Sequence, residues 1–184
     1  MNLRNLRIGP STLPDIEIVL QDMAEAQRVD RSIMGVLGVN ALSGADFTIS
    51  PGAGRLAFGT ERPAGEVVPF YRIEGRIALR VRMGEATLTM ILDSGASHVA
   101  LFRLPKAMAK TPPVSSNFAT MEGARKIVPT CWKADMFFID PLRVGTLPAA
   151  IVQRSGTTVD GLLPAGVFKT IHVDQARQEL VLAR

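Results

Sequence analysis

The stretch Leu88-Thr89-Met90-Ile91-Leu92-Asp93-Ser94-Gly95-Ala96-Ser97 decides how the rest of the chain is read. An apolar run ends in one acidic residue, and small residues follow it. A strand of this kind fixes the position of the carboxylate at its end. Gly95 lacks a side chain, which lets the backbone turn sharply and lets another group come close. Ser94 brings a hydroxyl that can bond a neighbouring loop, and Ala96 keeps the turn uncrowded. Taken alone, residues 93–96 also suit an ordinary Asx-type β-turn.

Upstream, Ile77, Leu79, Val81 and Met83 alternate with Ala78, Arg80 and Arg82, the two-residue period of a sheet with one buried face. Gly84-Glu85 predicts a tight reversal into the strand that delivers Asp93. Downstream, residues 99–102 read as a further strand. Residues 105–110 suit a turn of helix that Thr111-Pro112-Pro113 ends. Further on, Asp160-Gly161-Leu162-Leu163 opens a glycine-bearing apolar knot.

The chain also repeats itself. Leu6-Arg7-Ile8-Gly9, then Leu13-Pro14, then an apolar run over residues 16–20, is echoed by Leu142-Arg143-Val144-Gly145, Leu147-Pro148 and residues 149–152. Each copy continues into a knot, residues 35–42 in the first and 161–168 in the second. Each closes with a hairpin-like pair: residues 47–49 with 55–58, and 171–174 with 179–182. The second copy is preceded by the long β-rich front that holds Asp93, whereas the first begins at its back half. Residues 59–66, rich in Gly, Pro and charge, read as a linker. The expected organisation is therefore a back half-lobe over residues 1–60, a linker and lead-in strand over 61–70, and a whole lobe over 71–184.

The Asp93-Ser94-Gly95-Ala96 run after its apolar strand, with Gly161-Leu162-Leu163 downstream, resembles the active-site loop and glycine knot of retropepsin-like aspartic proteases, relatives of the pepsins. The resemblance spans residues 71–182 as a full lobe and 6–58 as a back half. It implies a mainly β, acid-protease fold. That fold is a closed, barrel-like lobe with a ψ-loop at Gly161, Leu162 and Leu163 and one or two short helices, preceded by the back half of a second similar lobe. It implies Asp93 as the catalytic carboxylate, with Ser94, Gly95 and Ala96 shaping its loop. It further implies a short helix over residues 165–169 and a substrate-covering β-hairpin flap over residues 118–130, reversing around Glu122-Gly123-Ala124-Arg125, with Met121, Glu122, Gly123 and Ala124 as its candidate residues. A peptide or protein substrate and no cofactor are implied with them.

Two departures stand out. Pro164 occupies the knot position held by Gly38 in the first copy, so a different turn geometry is expected there. There is also no second Asp-Ser/Thr-Gly: Asp30, Asp46, Asp135, Asp140 and Asp160 all lack the following pair. The implied chemistry needs two carboxylates facing one water, which share a proton because both cannot ionise at close range. The second would come from a homodimer mate or from the front of the first half-lobe, on a longer protein. The repeat favours the latter. A non-catalytic peptide-binding module and a structural dimerisation unit are the competing readings.

Composition narrows the field. Sixteen glycines and twelve prolines in 184 residues suit short strands and turns better than a helical bundle. Aromatics make up only 5%, so aliphatic side chains must fill the interior. The net charge of +4 is spread without a basic run or interleaved aromatics, so nucleic-acid binding is not expected. One cysteine, Cys131, rules out an internal disulfide. His98 and His172 stand far apart, and no metal site is expected. No apolar run is long enough to span a bilayer, and residues 1–7 lack the apolar core of a signal peptide. The cellular compartment stays open.

Overall fold

Alternation of aliphatic side chains over short, Gly-punctuated segments gives a mainly β structure, seen in a computed structural model that describes residues 2–8, 11–12, 15–106, 120–122, 125–127, 130–152, 154 and 156–184. The chain starts with two small antiparallel pairs: β1 (Asn2–Leu3), β2 (Arg7–Ile8), β3 (Ser11–Thr12) and β4 (Ile16–Glu17), joined as β1–β4 and β2–β3. The α-helix of the described residues, α1 (Ala24–Val29), follows. A 3₁₀ turn over Val39–Leu42 then buries Ala41 and Leu42 and leads into the hairpin of β5 (Phe47–Ser50) and β6 (Arg55–Phe58).

After the linker come β7 (Glu66–Pro69) and β8 (Tyr71–Ile73), then the long hairpin of β9 (Arg76–Met83) and β10 (Ala86–Asp93). Met83 pairs with Ala86 across the turn, where Gly84 has φ 58°, a backbone angle that favours glycine. β11 (Val99–Leu101), β12 (Thr120–Glu122) and β13 (Arg125–Ile127) are short, whereas β14 (Thr130–Ile139) and β15 (Leu142–Ile151) form a second long hairpin. The chain ends with β16 (Gly161–Pro164), a 3₁₀ turn at Ala165–Val167, and the hairpin of β17 (Thr170–Asp174) and β18 (Glu179–Ala183).

Two sheets carry the molecule. One has seven strands in the order β10-β16-β11-β15-β14-β9-β8 and closes on itself through the β9–β10 pairing, leaving β8 outside the ring. Its interior takes Leu79, Val81, Met83, Met90, Val99, Leu101, Val144 and Leu163, all buried in one continuous core. Full burial of each large aliphatic side chain stabilises the fold by about 1.5–3 kcal/mol. Ala78, expected on the outer face of β9, is fully buried as well. It packs with Ile91, Phe102 and Val159 in a second cluster, so the barrel wall is covered locally on both sides.

The other sheet has five strands in the order β6-β5-β17-β18-β7. Its two hairpins are registered alike: one constant sequence offset carries Phe47↔Phe58 onto Ile171↔Leu182 and Ser50↔Arg55 onto Asp174↔Glu179. They meet antiparallel at β5–β17. The linker crosses this sheet closely. Gly65 has no room for a side chain, since a Cβ there would lie 2.6 Å from the Leu182 carbonyl oxygen. Arg62 is tied to Glu179 at 2.6 Å.

Three sequence expectations are corrected. The helix expected over residues 165–169 is a single 3₁₀ turn, because β17 already begins at Thr170. The anchors of the repeat diverge at the front: Arg7 and Ile8 sit in a two-residue strand, whereas their counterparts belong to the ten-residue β15. At the knots the opposite holds. Gly38 (φ −68°, ψ 146°) and Pro164 (φ −63°, ψ 128°) cap their 3₁₀ turns in nearly the same extended conformation, so the Gly-to-Pro change leaves the turn geometry alike. Most of residues 105–110, expected as a helical turn, lie outside the described residues.

Candidate functional site

Asp93 is the last residue of β10, and β16 runs parallel beside it with Met90↔Gly161, Ile91↔Leu162, Leu92↔Leu163 and Asp93↔Pro164 in register. β10 and β11 are consecutive in sequence, joined by residues 94–98, yet β16 lies between them, parallel to β10 and antiparallel to β11. This is the ψ arrangement, with Gly161, Leu162 and Leu163 on its middle strand. The close passage demands glycine at 161, where a Cβ would stand 2.1 Å from the Ala100 carbonyl oxygen and 3.1 Å from the Met90 methyl. The structure therefore brings the Asp93 loop and the downstream knot together.

The carboxylate is half-buried, while Ser94 and Gly95 are exposed and Ala96 is half-buried. The Gly95 N–H donates to Asp93 Oδ1 at 2.8 Å, closing an Asx turn that orients the side chain over its own loop. A side chain at 95 would crowd that oxygen, its Cβ falling 3.3 Å away. Farther along the loop, Ser97 Oγ and His98 Nδ1 are 2.8 Å apart. A carboxylate set on a rigid strand end, open on one side and bonded on the other, can act on a proton of a bound molecule.

Asp160, which the sequence marks only as lacking a following Ser/Thr-Gly, has a structural place beside this site. It is buried, and its Oδ2 accepts from the Thr89 N–H at 2.8 Å. Its own N–H donates to the Thr89 carbonyl oxygen at 2.7 Å, and its carbonyl accepts from the Phe102 N–H at 2.9 Å. Arg103 is bonded to Oδ1. One residue thus fastens the start of β16 to β10 and to the end of β11. The sequence signal was present, an acidic residue wedged between Val159 and Gly161 in an apolar run, where a charge persists only if bonded.

The remaining expected site residues are less connected. Met121 and Glu122 belong to β12, which pairs with β13 in a two-stranded sheet of its own, with Met121↔Lys126 and Glu122↔Arg125 in register. Gly123 and Ala124, the expected tip of the flap, lie outside the described residues. Among the described residues, no group of three or more His, Cys, Asp or Glu side chains gathers to hold a metal, and no helix is long and apolar enough to cross a membrane. His172 lies in β17, buried at the seam of the five-stranded sheet.

No family profile matches the sequence, and no curated protein matches it. Among solved structures, the chain is similar to the crystal structure of a retropepsin-like aspartic protease from Rickettsia conorii. The TM-score is 0.46 and the identity 14%, over 64% of this chain and 88% of that one.

Proposed function

We propose that this chain supplies one half of an aspartic endopeptidase site, with Asp93 as one member of a carboxylate dyad. The observation that carries this reading is the seating of Asp93 at the end of β10, beside a β16 threaded between β10 and β11, with its carboxylate fixed by the Gly95 N–H. In the proposed reaction one carboxylate takes a proton from a water as that water attacks the peptide carbonyl carbon. The other donates its proton to the carbonyl oxygen, giving a tetrahedral diol whose collapse expels the amine. The titration belongs to the pair, since two carboxylates at close range share a proton. The second carboxylate comes from a dimer mate or from a lobe front on an N-terminal segment outside these 184 residues, and Ser94, Gly95 and Ala96 keep the loop narrow enough to approach it. The β12–β13 hairpin, with Met121, Glu122, Gly123 and Ala124, is the proposed flap. An extended peptide is the proposed substrate, and no cofactor is required.

Hydrolysis of an unfolded protein by the intact chain and its natural complexes, followed between roughly pH 3 and 7, tests this. Asp93→Asn is expected to abolish a pepstatin-sensitive activity, and an unchanged rate in that variant would sink the assignment. The single Asp-Ser-Gly run of the sequence favours a second reading, a peptide-binding module without turnover. Saturable peptide binding with no cleavage across the same pH range would select it.

A further inference from the structure

Gly161 is a glycine because β11 passes against it. Its counterpart in the first half of the chain, Gly35, stands the same way ahead of a 3₁₀ turn, that of Val39–Leu42. Among the described residues nothing lies within 4 Å of where a Gly35 Cβ would be, and its φ is not in the left-handed region. Neither crowding by the described residues nor conformation accounts for it. Around it Val19, Leu20, Met34 and Val36 are each more than three-quarters exposed and line an open apolar cavity of about 620 Å³. Isolated exposed aliphatics are ordinary, but a contiguous set around a cavity marks a binding surface. In the second half the equivalent space, between β15 and β16, is filled by β11, whose Val99 and Leu101 are fully buried.

The five-stranded sheet carries the same asymmetry independently. β18 has β7 on its outer edge, with Leu180↔Val68 in register, and Leu180 is fully buried. Among the described residues β6, which matches β18 by the shared hairpin register, is the terminal strand of the sheet, and its Leu56, the match of Leu180, is exposed. Among the described residues, then, nothing fills the two places where the second half holds β7 and β11, strands that both belong to the front of its lobe. An exposed strand edge is a template for strand addition, and an apolar groove receives the side chains of an added segment.

We propose that this face docks the front of a lobe carried on polypeptide outside these 184 residues. A strand of Val-x-Leu pattern enters between residues 16–20 and 34–38, parallel to the first and antiparallel to the second, as β11 does between β15 and β16. A preceding strand adds to the edge of β6. A second copy of the chain does not fit this role, because its own β11 is already buried and comes free only by opening its lobe. The proposal rests on reading Asp93 as half of a dyad, since the docked strand is the one that follows the acid loop and so brings the second carboxylate.

The test uses the chain with a synthetic peptide of residues 94–104 (Ser-Gly-Ala-Ser-His-Val-Ala-Leu-Phe-Arg-Leu), which carries β11, followed by NMR of the isotope-labelled protein. Saturable shifts are expected at residues 16–20 and 34–38, and not with a scrambled peptide. Gly35→Val is expected to weaken binding by about tenfold or more while leaving the thermal midpoint unchanged, since its side chain enters open space. No saturable binding up to millimolar peptide, or binding that Gly35→Val leaves intact, overturns the proposal. A dimer that Gly35→Val dissolves, seen by sedimentation, gives the groove to a second copy and overturns it too. Failure of docking with Asp93-dependent hydrolysis retained would remove this inference and leave the proposed activity standing; docking without hydrolysis would do the reverse.

Discussion

Thr48 and His172 face each other across the seam where the two hairpins meet, with Thr48 Oγ1 2.9 Å from His172 Nδ1. The offset that superposes one hairpin on the other carries Thr48 onto His172, so the pair sits on the local two-fold axis of the five-stranded sheet. His172 is fully buried, and its Nε2 has no partner among the described residues.

Thr48→Val removes the partner of Nδ1 while nearly preserving shape. A buried polar group left without its hydrogen bond costs about 1–3 kcal/mol. Equilibrium unfolding in urea is expected to show a loss of that size, and an unchanged midpoint would mean that the seam does not depend on this bond.

Asp160→Ala strips an acceptor from the Thr89 N–H and a partner from Arg103. Hydrogen bonds to a charged group contribute about 1.5–3 kcal/mol, so a loss in that range is expected in thermal or chemical unfolding. Arg103→Ala is expected to cost less, about 1 kcal/mol or below, because the Arg103 side chain is 78% exposed and the pair is screened on that side. Equal losses in the two variants would show that the arginine, rather than the strand junction, carries the effect.

Gly161→Ala forces a methyl toward the Ala100 carbonyl oxygen, a backbone group of the ψ crossing that cannot swing aside. Such overpacking costs about 1–3 kcal/mol, and the displaced β11 is expected to lose amide-exchange protection at Ala100 and Leu101. Gly166→Ala, with nothing within 4 Å of the new methyl, is the control and is expected to be near neutral.

Acid sensitivity is expected from the β17–β18 turn. The Asp174 carboxyl is held below the usual aspartate range, chiefly by the Arg177 N–H, with the Arg177 side chain and Arg62 adding to it against the opposing effect of burial. A carboxyl depressed in the folded state stabilises the fold above its unfolded value of about 3.9. That contribution is lost as the pH falls through the folded value. Thermal midpoints measured from pH 6 down to 2 are expected to fall less steeply below about pH 4 in Asp174→Asn than in the parent chain.

Much of this was legible in the sequence because it is written locally. Period-two alternation over residues 77–83, the Gly84-Glu85 reversal and the apolar run into Asp93 each report on neighbours in the chain. The matching hairpins were legible as similarity, but not the fact that they pair with one another, since no local period encodes a contact between Thr48 and His172. Asp160 escaped because its role comes from Thr89 and Arg103, which only the fold brings near. The front anchors of the repeat misled for a related reason. Leu142 to Leu147 are drawn into one strand by the long partner β14, a tertiary demand that the same residue pattern at Leu6 and Ile8 does not meet.

The threading of β16 also imposes an order in time. Thr89 and Asp160 are 71 positions apart, and the loop that presents Asp93 has no floor until residues 161–164 slide between β10 and β11. Contacts so distant in sequence form slowly, after the local hairpins. A nascent chain emerging from the ribosome has therefore extended its Asp93 loop long before that loop is seated. The acid group becomes fixed in place only once residues 161–164 have been made and threaded.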